Sequence, residues 1–201
     1  EIPVKQLAQV ALEVSDQVDR ASEIITRLRE FARKADFSRE KVAINKPIEN
    51  VVKIIGQQLK LQDVDLGFLP GKDIPPVLAH NNRLEQVIFN LLTNARDAIV
   101  QKRETFGRRA CGRISIRSFS RKGQTAIAVS DTGSGISKDA RDKIFEPFFT
   151  TKEVGKGMGL GLAIVYEIVV EHGGEIRVHS GTGIGTTFVV LLPQMLPLRR
   201  T

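Results

Sequence analysis

The stretch Asn90-Leu-Leu-Thr-Asn94-Ala-Arg-Asp97-Ala98 belongs to a helix read over residues 81–102, and both faces of that helix are organised. Leu84, Ile88, Leu91, Ala95, Ala98 and Ile99 recur at helical spacing and form a core face. Gln86, Asn90, Asn94 and Asp97, at spacings of four, four and three, line a second face. A merely solvated face usually carries Lys and Glu, and Asn is a poor helix former. Two asparagines one turn apart therefore suggest chemistry. Amide oxygens suit Mg²⁺, a hard cation that keeps several of its waters.

Working outward, the sequence reads as α+β. A short strand is expected at Val42–Ile44, an amphipathic helix at Pro47–Leu61 and a strand at Val64–Leu69, before the Pro70-Gly71 turn. Arg113–Phe119 and Thr125–Ser130 alternate as two strands around Lys122-Gly123. A short helix is expected over Lys138–Phe145. Leu160–His172 reads as a helix closed by Gly173-Gly174, and a hairpin of Glu175–Ser180 and Thr186–Leu192 stops at Pro193.

Three glycine-bearing motifs accompany the asparagine face. Asp131-Thr-Gly133-Ser-Gly135-Ile136 ends an alternating strand; its carboxylate can accept a hydrogen bond from the exocyclic amine of a base, and its glycines let a flat ring approach. Gly155-Lys-Gly157-Met158-Gly159-Leu160-Gly161 opens a helix, and close-set glycines at a helix start form an anion site. Neither a Walker A loop nor G-x-G-x-x-G fits it, which disfavours P-loop NTPases and dinucleotide dehydrogenases. Gly183-Ile-Gly185-Thr186-Thr187 turns into the last strand.

Ahead of all this, Val4, Leu7, Ala11, Val14, Val18, Ala21, Ile25, Leu28 and Ala32 alternate spacings of three and four, a heptad seam that reads as a dimerising helix. Residues 33–41 are polar. The expected division is a dimerisation helix over 1–36, a linker over 37–41, a main domain over 42–195 and a tail over 196–201.

Composition narrows the function classes. The 201 residues carry 30 Lys+Arg against 23 Asp+Glu, a net charge of +7. Basic residues cluster from Lys102 to Lys122, but with one Tyr and no Trp no aromatics interleave with them, so nucleic acid is not the expected partner. One cysteine excludes a disulfide framework. No run approaches the ~20 apolar residues of a membrane span, and no signal peptide is legible, so a cytoplasmic domain is expected. The first residues lack an initiator Met, and the chain reads as a piece of a longer protein that could be membrane-anchored.

Taken in order, the motifs resemble those of sensor histidine kinases. Residues 90–98 resemble the N box and 131–135 the G1 box. Phe145-Glu-Pro-Phe148-Phe149-Thr-Thr-Lys152 resembles the F box, 157–162 the G2 box and 183–187 the G3 turn. The resemblance covers roughly residues 20–193. It implies the Bergerat (GHKL) fold, a two-layer α/β sandwich with a mixed sheet, here preceded by a long N-terminal helix. It also implies ATP and Mg²⁺ as cofactors and a mobile ATP lid over 147–158, with Phe145, Phe148 and Phe149 anchoring its base.

The resemblance further implies roles. Asp131 would bind the adenine amine, supported by Thr186 or Thr187. Asn94 would hold Mg²⁺, with Asn90 beside it. Lys152 would reach the γ-phosphate, which makes Asn90, Asn94 and Lys152 the catalytic set. Asn94, Asp97, Asp131, Gly133, Gly135, Ile136, Phe149, Lys152, Gly157, Met158, Gly159, Leu160, Gly161, Thr186 and Thr187 form the nucleotide set. Gyrase and chaperone relatives place a water-activating Glu near the metal Asn. Here Asn90 stands four residues before Asn94 and is no base, which with the F box favours phosphoryl transfer over an ATPase clamp, while the intact glycines and Asp131 argue against a non-catalytic dimerisation module.

The expected partners are a second copy, through the N-terminal helix, and the receiver domain of a response regulator. The acceptor histidine is expected elsewhere: His80, His172 and His179 are each followed by a non-acidic residue, and His172 reads as a cation at a helix end.

Overall fold

The computed structural model describes residues 38–107, 112–152 and 157–195. The seam helix, the tail at 196–201, residues 153–156 of the expected lid and the basic pair Arg108 and Arg109 lie outside the described residues. The elements are β1 (Glu40–Val42), α1 (Asn45–Leu61), β2 (Val64–Leu69), β3 (Val77–Ala79), α2 (Asn81–Phe106), β4 (Gly112–Arg121), β5 (Gln124–Asp131), α3 (Lys138–Arg141), α4 (Gly161–Glu171), β6 (Glu175–Gly181) and β7 (Gly185–Pro193).

A five-stranded sheet runs in the order β2-β4-β5-β7-β6. β2 lies parallel to β4, and the other neighbours are antiparallel, so the sheet is mixed. Strand alternation sends Ile114, Ile116, Ile127, Val129, Phe188, Val190 and Leu192 into one core. Ile48, Val51, Ile55 and Leu59 of α1, Leu84, Ile88, Leu91 and Ile99 of α2, and Ile164, Val165 and Ile168 of α4 fill it from the helix layer. Packing of α2 against both α1 and α4 makes it the middle helix of that layer. The core periodicity of α2 buries its apolar stripe and leaves Asn90, Asn94 and Asp97 half-buried beside α4.

Several boundaries differ from expectation. The first strand is Glu40–Val42, so the last two residues of the expected linker pair with Ala79 and Leu78. Ile44 is buried at the entry to α1 rather than in a strand. β3 was not legible in the sequence: it is three residues long, follows Pro75-Pro76, and owes its form to β1. The helix expected over Lys138–Phe145 stops at Arg141. Ser137 accepts the N–H of Ala140, and then Lys143 N–H to Ala140 O and Glu146 N–H to Lys143 O, both at 2.9 Å, continue as tight turns that bury Ile144. α4 ends as expected: the N–H groups of Gly173 and Gly174 bond Val170 O and Val169 O, each at 2.9 Å.

Candidate functional site

Asp131 closes β5 at the open end of the sheet. Its Oδ1 accepts the N–H of Gly133 at 2.7 Å and that of Thr186 at 3.3 Å, while among the described residues Oδ2 takes no hydrogen bond. Burial is the largest influence on this carboxyl and raises its pKa above the ordinary value; the two N–H groups and the Lys102 charge pull it back. Lys102 is held nearby, with Nζ donating to Thr132 O at 2.9 Å.

The loop after Asp131 is seated on two supports. Ser134 N–H donates to Ala98 O of α2 at 3.0 Å, and Ser134 O accepts Gly183 N–H from the β6–β7 turn at 2.7 Å. Gly135 has φ +72°, and a Cβ there would stand 2.0 Å from Gly181 O, so only glycine fits. Ile136 N–H donates to Ser180 Oγ at 2.8 Å, and that hydroxyl also bonds Gly185 O and Thr186 Oγ1. Ser180, which sequence reasoning missed, thus ties the base-side loop to the last hairpin. A small polar residue at a strand end opposite Thr186 was its one visible signal.

Strand register separates the two threonines. Ser130 pairs with Thr187, whose hydroxyl donates to Ser130 Oγ at 2.9 Å. Thr186 lies on the core side with Asp131 and is buried. The structure therefore brings Thr186, and not Thr187, to Asp131.

The asparagines of α2 face the start of α4. A Cβ at Gly161 would lie 3.6 Å from Asn94 Nδ2 and 3.9 Å from Asn90 Oδ1. Asn90 Nδ2 is buried and, among the described residues, has no hydrogen-bond partner. A buried donor left unmet is costly, so Asn90 Nδ2 is available to an acceptor beyond the described residues. The amide N–H groups at the start of α4 add a local positive potential. Gly159, at φ +68°, packs against the Phe148–Phe149 backbone and accepts the Phe148 N–H through its carbonyl at 3.0 Å. Met158 and Phe149 pack partly buried against the core, and Leu160 is buried.

Two expectations are corrected. Phe148 does not anchor the lid base through its ring: its backbone turns at φ +67° and its side chain is 68% exposed. The rings that pack inward are Phe145, whose centroid lies 5.5 Å from that of Tyr166, and Phe149, both partly buried against the core. His172 is not an exposed cation at a helix end. It is 3% exposed, accepts the His80 N–H on Nε2 at 3.1 Å, and so carries its proton on Nδ1, facing Ile168 O at 2.7 Å. Burial lowers its pKa below the ordinary value.

Lys152 and Asp97, 55 residues apart, meet: Nζ donates to Asp97 Oδ2 at 2.5 Å. The structure thus gathers Asn90, Asn94 and Asp97 of mid-α2 with Lys152 and Gly157–Gly161 at the start of α4, and sets Asp131 of β5, Thr186 of β7 and the loop residues Gly133, Gly135 and Ile136 together.

A mixed sheet carrying one helix layer, with these motifs at its open end, defines a nucleotide-binding ATPase domain of the Bergerat type. The model for histidine kinase-, DNA gyrase B- and HSP90-like ATPases matches residues 79–196, and the chain belongs to that family. The sensor histidine kinase ZraS of Escherichia coli is 36% identical over 188 residues, covering 94% of this chain and 37% of its own length. The sensor kinase CckA of Brucella abortus is 34% identical over 195 residues, covering 94% and 20%. The chain therefore spans about two fifths of the first relative and a fifth of the second.

Among solved structures, the nucleotide-free catalytic domain of the histidine kinase ThkA superposes with a TM-score of 0.66 at 29% identity, over 79% of this chain and 99% of that one. ThkA in complex with the response regulator TrrA gives 0.72 at 25% identity, over 97% and 53%. The domain is of the sensor-histidine-kinase catalytic type. Among the described residues no helix is long and apolar enough to cross a membrane.

Proposed function

We propose that this chain is the ATP-binding catalytic region of a sensor histidine kinase, which moves the γ-phosphoryl group of ATP to a histidine outside residues 1–201, for relay to an aspartate of a response regulator. The observation that carries this reading is the meeting of Asn90 and Asn94 with the start of α4 at Gly161, beside the half-buried Asp131. Oδ2 of Asp131 would accept from the adenine amine. The α4 start and the glycines before it would face the phosphates. The unmet Asn90 donor suits a phosphate oxygen or a metal-bound water.

The amide oxygen donors fit Mg²⁺, with Asn94 as its protein ligand and Asn90 beside it. Bound there, Mg²⁺ would supply neutralisation of phosphate charge. Among the described residues no base is placed to activate water: Asn90 is neutral, and both oxygens of Asp97 are occupied by Arg96 and Lys152. An imidazole acceptor is itself a nucleophile and needs positioning more than deprotonation. The likeness to ThkA, solved with its regulator, supports a receiver-domain partner. The heptad seam over residues 4–32 supports homodimerisation, and charged substitutions at Val14 and Ile25 should shift the sedimentation of a dimer towards monomer.

The test uses γ-labelled ATP, with this chain alone and with a separate helical hairpin carrying the parent's acceptor histidine. Acid-labile label should appear on the hairpin and not on this chain. Robust self-labelling would overturn the placement of the acceptor, and rapid phosphate release without any acceptor would overturn the kinase reading in favour of an ATPase. Asn94→Ala should shrink the difference between ATP affinities measured with and without Mg²⁺.

A further inference from the structure

Asp97 gathers two cations on one carboxylate. Oδ1 accepts from Arg96, Nε at 2.9 Å and Nη2 at 2.7 Å, and Oδ2 accepts from Lys152 Nζ at 2.5 Å. Asp97 stands on α2 nearly one turn beyond Asn94. The aliphatic stem of Lys152 runs over Gly157, where a Cβ would come 2.9 Å from Lys152 Cδ. Lys152 thus lies against Gly157, in the glycine run whose far end, Gly161, abuts Asn94. The Lys152 and Asp97 side chains are 31% and 29% exposed, open enough for a ligand to compete.

We propose that Asp97 is a positioning residue that competes with the terminal phosphate of a bound nucleotide for Lys152, and so sets how strongly the site prefers ATP over ADP. This rests on the reading of the site as a nucleotide site. A lysine ammonium is a compact point charge on a flexible stem, and it follows the stronger anion. A γ-phosphate carries more charge than a carboxylate, and ADP supplies no such group. Release of Lys152 does not strand Asp97, because the Arg96 fork already occupies Oδ1. The exchange therefore trades one ion pair for another instead of leaving a half-buried charge bare. A carboxylate standing behind Mg²⁺ would act with the opposite sign: its removal would weaken ATP binding.

The sign decides between them. Asp97→Asn, Lys152→Met and the double variant are titrated with ATP and with ADP in the presence of Mg²⁺ by calorimetry. Asp97→Asn should tighten ATP by about two- to fivefold, the worth of a partly exposed ion pair, and change ADP less. In the Lys152→Met background the same substitution should do nothing further. Without nucleotide, Asp97→Asn should speed amide exchange at residues 150–152 and 157–159, because the tether is gone. Weaker ATP binding in Asp97→Asn, or the same change in the Lys152→Met background, would overturn the proposal. Failure of the unaltered chain to bind either nucleotide would overturn instead the nucleotide-site reading beneath it, and the exchange measurement would still report whether the tether exists.

Discussion

The backbone N–H of Thr186 donates to Asp131 Oδ1 across 3.3 Å, one residue beyond the last ladder pair of β5 and β7, Ser130 with Thr187. The carboxylate thus extends the sheet's hydrogen bonding with one oxygen and leaves the other without a partner among the described residues. Holding a half-buried charge in this position costs stability, since burial outweighs the two N–H donors and Lys102.

Asp131→Asn should therefore have opposite effects on binding and on folding. Adenine nucleotide affinity should fall by about 1.5–3 kcal/mol, the worth of a hydrogen bond to a charged group. The folded-state pKa is raised, so the protonated carboxyl favours the fold, and that contribution is lost as pH rises through the folded pKa. At neutral pH the neutral amide removes the cost. Calorimetric melting should show a higher midpoint for the variant, and unchanged ATP affinity would remove Asp131 from the base pocket.

His172 makes a second pH-dependent contribution, with the reverse sense. Its Nε2 must stay unprotonated to accept the His80 N–H, and burial lowers its pKa below the ordinary 6.5. Glu171 and the Ile168 carbonyl oppose that shift, whereas Arg39 and His80 add to it. The unfolded chain takes up this proton first, so stability should be flat above the ordinary value and fall as pH drops below it. Urea unfolding at about pH 7.5 and 5.5 would read the difference. In His172→Gln the slope over that interval should be smaller; an unchanged slope would place the dependence on other groups.

Gly135 and Gly123 offer a matched pair. Both have left-handed backbones, φ +72° and +76°, but a Cβ at Gly135 meets Gly181 O at 2.0 Å, whereas one at Gly123 meets nothing within 4 Å. Gly123→Ala should cost about 1–2 kcal/mol, the left-handed penalty alone. Gly135→Ala should cost more and should also weaken nucleotide binding, because it unseats the loop after Asp131. Equal urea midpoints for the two variants would refute the close approach.

Much of the architecture was legible because it is periodic. The stripe from Leu84 to Ile99 can be buried only as one helix face, and its register alone turns Asn90, Asn94 and Asp97 to a common side. Alternation in 113–119 and 125–130 likewise defines strands that pair locally around Lys122-Gly123. β3 was not legible: three residues after two prolines carry no period, and their conformation comes from β1, 35 or more residues earlier.

Local chemistry in the chain determined the inventory of the site: an acidic strand end, paired asparagines and glycine runs at turn and helix starts. Tertiary structure decided which of those groups meet. Thr186 rather than Thr187 reaches Asp131 because a strand's side chains alternate, so a shift of one residue reverses the face. Lys152 finds Asp97, Ser180 finds Ile136 and His172 finds His80 across 55, 44 and 92 residues. Such pairings depend on how helices and loops close over the sheet, and no spacing along the chain encodes a distance between segments that only the packed core brings together.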